Sequence, residues 1–86
     1  MKYTEEELAE AHKATYENRH IITAGSKCGC MYCLKIFKAK EITEWCPDAI
    51  DDTAICPYCG IDAVLSENSG FPLDEEFLKA AQEMWF

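Results

Sequence analysis

From its sequence this chain should fold as a small α+β unit, a β-hairpin bearing two cysteine turns with a helix at either end. Two Cys-x-x-Cys pairs lie 22 residues apart, Cys30/Cys33 and Cys56/Cys59. Short β-prone runs border each pair. The segments before and after them carry helix-start signals and apolar spacing of helical period.

The first helix is placed at about residues 5–18. Thr4 and Glu7 have the spacing of a capping box, in which hydroxyl and carboxylate each satisfy an orphan N–H. Leu8, Ala11, Ala14 and Thr15 then recur on one face. His20-Ile21-Ile22-Thr23 reads as a short strand ended by Ala24-Gly25-Ser26. The first knuckle, 28–33, leads into a strand at Leu34–Phe37. Ala39–Trp45 reads as one or two helical turns with Ile42 and Trp45 inward. Thr53-Ala54-Ile55 enters the second knuckle, 56–60, and Ile61, Val64 and Leu65 leave it as a strand. The final helix spans about 74–85, with Asp74 as N-cap, Glu75 and Glu76 on the positive end of the dipole, and Leu73 stapled to Leu78. Tyr16, Ile36, Phe37, Ile42, Trp45, Val64, Leu65, Phe77, Leu78 and Met84 are the expected core. No linker divides the chain, so residues 1–86 read as a single domain.

Six cysteines in 86 residues are far above ordinary usage. No apolar run is long enough to span a membrane, and Met1–Glu7 lacks a signal-peptide pattern, so a cytoplasmic location is expected. In a reducing compartment such cysteines read as metal ligands rather than disulfides. A Cys-x-x-Cys turn presents two thiolates on one side of a tight loop. Two such turns complete a tetrahedral Cys₄ site for one structural Zn²⁺, with Cys30, Cys33, Cys56 and Cys59 as ligands. Gly60 suits the second turn, because a positive φ lets backbone N–H groups point back at sulfur. Cys33 is followed instead by Leu34. Cys28 could replace Cys30 as a ligand, but one intervening residue makes a poorer knuckle; Cys28 and Cys46 are read as small buried apolar residues ahead of a redox or regulatory role. His12 and His20 would ligate only if a cysteine pair failed.

A site filled by four protein ligands has no position for activating water, which argues against an enzyme. Other chemistries fit less well. Cys56-Pro57-Tyr58-Cys59 is also the glutaredoxin tetrapeptide, which would make Cys56 a nucleophile in thiol–disulfide exchange. It lies two-thirds along the chain, however, and meets Gly60 instead of opening a long helix. A rubredoxin-like iron site would want the missing glycine after Cys33. Zinc deaminases need an upstream His-x-Glu that is absent here.

The net charge of −8 is unevenly spread. Residues 18–40 hold Arg19, Lys27, Lys35, Lys38 and Lys40 and no acid, whereas 41–86 hold eleven acids and only Lys79. Two binding roles follow. One is an adaptor or regulator that engages another protein, with Trp85-Phe86 partly exposed. The other is nucleic-acid binding, with Lys27, Lys35, Lys38 and Lys40 on phosphates and Tyr32 stacking a base.

Lys27–Gly60 resembles a group of small bacterial cytoplasmic proteins of zinc-ribbon-like pattern. The matching residues are Cys28-Gly29-Cys30-Met31-Tyr32-Cys33, Ile36-Phe37, Glu41-Ile42 with Trp45, and Cys56-Pro57-Tyr58-Cys59-Gly60-Ile61-Asp62. Met31 stands where the group has an aromatic residue, and Cys46 has no counterpart. The resemblance implies a zinc-ribbon-like domain and no particular activity.

Overall fold

A computed structural model of the chain describes residues 3–86. Helix α1 (Glu5–Lys13) is followed by strands β1 (Lys27–Cys30), β2 (Ile36–Lys38), β3 (Trp45–Cys46), β4 (Thr53–Ala54) and β5 (Val64–Ser66), then by helix α2 (Glu75–Trp85). The strands form two antiparallel sheets, one ordered β2-β1-β5 and one made of β3 and β4.

Helix α1 opens on the capping box: the Glu7 N–H donates to Thr4 Oγ1 at 3.1 Å, and the Thr4 N–H to Glu7 Oε1 at 3.4 Å. It buries Leu8 and Ala11. The helix expected as far as Asn18 stops at Lys13. Thr15 turns its hydroxyl onto the His12 carbonyl at 2.6 Å, and Glu17 takes a positive φ of 47°. What ends the helix is tertiary, since the next residues are held by the chain around 48–54. The Glu17 N–H donates to Thr53 Oγ1 at 2.8 Å. Asn18, fully buried, donates to the Val64 carbonyl at 2.8 Å and accepts from the Ala54 N–H at 3.1 Å. One carboxamide thereby ties β5 of the larger sheet to β4 of the smaller one.

The expected strand at His20–Thr23 is a single 3₁₀ turn, Arg19–Ile21. It is fastened to the acidic turn opposite. Arg19 pairs with Asp52 at 2.8 Å and lies over the Trp45 ring, 4.6 Å from its centroid. Both the backbone N–H and Nδ1 of His20 meet Asp51 Oδ2, at 2.7 and 2.6 Å. These contacts hold the Asp51 carboxyl below its usual range. Only Ala39–Glu41 of the expected helical stretch 39–45 is helical, as one 3₁₀ turn, and Trp45 lies in β3 instead.

In β2, adjacent side chains point to opposite faces. Phe37 is therefore buried while Ile36, also expected in the core, is half exposed at the sheet edge. Tyr16 and Met84 are likewise exposed, because α1 ends before Tyr16 and Met84 sits on the outer side of α2. Trp45 is half-buried. Ile42, Val64, Leu65, Phe77 and Leu78 are buried as expected, joined by Leu8, Met31, Cys28 and Ala81.

Helix α2 is capped by Asp74, whose Oδ1 accepts from the Phe77 N–H at 2.7 Å. Near its end Trp85 stacks on His12, with ring centroids 4.2 Å apart, and donates to the Leu8 carbonyl at 3.2 Å. The two helices are thus locked side by side. α2 also lies on β1 so closely that a Cβ at Gly29 would stand 3.0 Å from Leu78 and 3.3 Å from Leu73. Leu78 is fully buried and has little room to yield. Gly29→Ala is expected to destabilise the protein by about 1–3 kcal/mol through overpacking, read from the urea midpoint. An unchanged midpoint would mean that the helix can shift.

Candidate metal centre

The two Cys-x-x-Cys segments fold into the same turn. In the first, the Cys30 N–H donates to the Lys35 carbonyl and the Leu34 N–H to the Cys30 carbonyl, both at 3.0 Å. In the second, Cys56 and Ile61 pair in the same way, as do Gly60 and Cys56, again at 3.0 Å. The Tyr32 N–H points at Cys30 Sγ and the Tyr58 N–H at Cys56 Sγ, each at 3.4 Å. The Cys33 N–H also points at Cys30 Sγ, at 3.5 Å. Such N–H groups disperse negative charge on sulfur.

Leu34 sits where the second turn has glycine and takes the same left-handed backbone, φ 67° against 77° for Gly60. The missing glycine therefore does not make the first turn different. Leu34 is partly buried against the core, which offsets its conformational cost. A Cβ at Gly60 would meet nothing within 4 Å. Gly60→Ala should therefore cost only the left-handed penalty, about 1 kcal/mol, in a urea titration of the metal-loaded protein. A loss several times larger would show that the turn itself had been rebuilt.

The turns meet tip to tip. The four sulfurs lie within 4.8 Å of one another, with Cys30 and Cys59 at 3.6 Å and Cys33 and Cys56 at 3.7 Å. An ion with four metal–sulfur bonds of about 2.3 Å in a tetrahedron separates its sulfurs by about 3.8 Å. The observed spacing suits such an ion, so the four cysteines are positioned to bind a metal. Cys30 and Cys56 are buried, and Cys33 and Cys59 partly so. Burial holds the Cys30 and Cys59 thiols above their usual range. Burial also pushes Cys33 upward, but the Lys35 N–H and the neighbouring thiols outweigh it and leave Cys33 lowered.

The turns do not share one hairpin, contrary to expectation. The first tips the β1–β2 hairpin, whereas the second connects β4 in the small sheet to β5 in the large one. Sequence spacing reveals which cysteines could meet, but not which strands deliver them. Gln82, which had no sequence signal, clamps the first turn to α2 by donating to the Tyr32 carbonyl at 2.5 Å.

The remaining candidates lie elsewhere. Cys28 is buried in β1, where desolvation and then the Glu67 charge push its thiol up to about 11. Cys46 is exposed rather than buried, because β3 is a two-residue edge whose outer side nothing covers among the described residues. His12 and His20 stand in the contacts already given and are outside the sulfur cluster. Of the lysines, Lys27 and Lys38 are partners across the β1–β2 pair, and Lys35 Nζ lies 5.1 Å from the Tyr58 ring centroid. Acids from elsewhere are set among them. Glu67 accepts from the Lys27 N–H, and Glu41 accepts from both the Lys38 N–H and the Tyr58 hydroxyl. The acid-free stretch of sequence is thus not an acid-free surface.

Comparison of the chain with protein-family models, curated proteins and solved structures gave no match. No helix among the described residues is long and apolar enough to cross a membrane.

Proposed function

We propose that this chain holds one structural Zn²⁺ through Cys30, Cys33, Cys56 and Cys59 and works as a non-enzymatic adaptor or regulator that binds another protein. The observation behind this reading is the convergence of four sulfurs, within 4.8 Å, on two matching turns rich in N–H donors. Zinc suits a closed set of four thiolates, and with all four positions filled the ion has structural rather than catalytic work. On this reading the 86 residues form a single zinc-ribbon-like domain in a reducing cytoplasm, where free thiols persist. Exposed Tyr32, Tyr58 and Phe86 provide aromatic surface of the kind that protein interfaces use.

The nucleic-acid reading is weakened by Glu41 and Glu67 among the lysines. The thiol-exchange reading is weakened by the pairing of Cys59 with Cys30, and of Cys56 with Cys33, across the two turns.

Elemental analysis of the purified native protein decides first. One zinc per chain supports the proposal. One iron, with visible absorption, would reassign the centre to electron transfer, and a metal-free folded protein with a Cys56–Cys59 disulfide would reassign it to thiol chemistry. Retention on single-stranded DNA at about 50 mM salt, lost as salt rises, would move the binding role from protein to nucleic acid.

A further inference from the structure

Two adjoining open depressions lie where the first knuckle meets the outer side of α2. Tyr32, Gln82, Glu83 and Phe86 line one, of about 460 Å³; Glu5, Ala80, Glu83 and Met84 line the other, of about 240 Å³. Glu83 lines both, so the two depressions adjoin at that side chain.

Their apolar parts are large and solvent-facing: Tyr32 is 45% exposed, Phe86 55% and Met84 38%. Tyr32 and Phe86 meet edge to face, with centroids 5.2 Å apart, and so present a fixed wall. The Gln82 bond to the Tyr32 carbonyl anchors that wall to α2. Aromatic rings supply contact area at small entropic cost, and methionine adapts its shape to the occupant.

The polar parts carry one sign. Among the described residues, neither the Glu5 nor the Glu83 carboxylate takes part in a hydrogen bond or ion pair, although several other carboxylates on this protein do. Both are exposed. An aromatic wall beside exposed carboxylates complements a chain carrying cations next to an apolar side chain.

We propose that these paired depressions receive a short basic peptide segment of a partner protein, with an apolar side chain seated against Tyr32 and Phe86 and flanking lysine or arginine groups on Glu83 and Glu5. The proposal deepens the protein-binding reading above and depends on it.

The test is fluorescence polarisation with a short fluorescein-labelled peptide of lysine and serine carrying one leucine and one phenylalanine. The zinc-loaded protein should bind it. Binding should fall roughly tenfold in the double variant E5Q/E83K, as expected for losing two exposed charge pairs, and fall further in Phe86→Ala. The same peptide with glutamate for lysine should not bind, nor should one whose leucine and phenylalanine are replaced by serine. Equal binding of the double variant and the native protein would overturn the proposal. So would equal binding of the serine-replaced peptide, which would show attraction to bulk charge alone. Concentration-dependent dimerisation that buries Phe86, seen by sedimentation, would overturn it in favour of a second copy of this chain. Zinc content measured on the same samples separates the two levels. A folded, one-zinc protein that ignores the peptide removes the peptide site and leaves the metal centre standing.

Discussion

Stripping the metal with a tight chelator is expected to unfold the protein, with loss of its far-ultraviolet dichroism and of any cooperative urea transition. A structural zinc site supplies on the order of 10 kcal/mol, comparable with the whole stability of a typical small domain. Here the four sulfurs are also the junction of both sheets, because one turn tips β1–β2 and the other joins β4 to β5. Cys56→Ser should have nearly the same effect, as it removes a buried thiol from the cluster. Cys46→Ser is the matched control. That thiol is exposed and outside the cluster, so its replacement should change stability by no more than about 0.5 kcal/mol. A chelated protein that keeps a native spectrum and a sharp transition would defeat the structural-metal reading.

The second large effect is expected at Asn18. Its carboxamide is buried and makes two bonds to backbone of different sheets, at 2.8 Å to the Val64 carbonyl and 3.1 Å from the Ala54 N–H. Asn18→Ala removes both and leaves those backbone groups without this partner in a dry place. Each group so stranded costs roughly 1–3 kcal/mol, so a combined loss of about 2–5 kcal/mol is expected. Urea unfolding of the zinc-loaded variant measures it. A loss below about 1 kcal/mol would mean that water enters and replaces the side chain. Because zinc content can be checked separately, this result reports on the joint between the sheets rather than on the metal.

The contrast between these two sites shows what could be read from the sequence. The meeting of the four cysteines was legible because two residues between partners is a local spacing that turns both sulfurs of a pair to one side. The starts of both helices were legible for the same reason, since Thr4 with Glu7 and Asp74 with Phe77 act within one turn. Asn18 carried no such mark. Its partners are 36 and 46 residues away, and a lone asparagine after a helical pattern fits a helix end or a loop equally well. The overlong first helix has the same origin. Ala14-Thr15-Tyr16-Glu17 contains no Gly or Pro to stop it, and the actual stop is imposed by Thr53 and Asn18. The positive φ of Leu34 was hidden because leucine seldom adopts it; the identical bonding of the other turn exposes it. Ile36 and Cys46 were misjudged because edge strands have only one covered side, and edges are a property of the assembled sheet.

An ion bound across the two turns would also change the topology of the chain. Cys33 and Cys56 would be fastened together, turning the 22 residues between them into a closed ring, as a disulfide would. Within that ring, Ile50 is 89% exposed. The entropy of closing a ring rises only with the logarithm of its length, so doubling it costs about 0.6 kcal/mol. The metal would then hold the ends in register whatever the middle contained. The middle of that ring is not loose either: the Ile50 N–H donates to Glu17 Oε2 at 2.6 Å, and Asp51 and Asp52 hold His20 and Arg19, so an ion would close a loop already fastened at its tip to the chain that leaves α1.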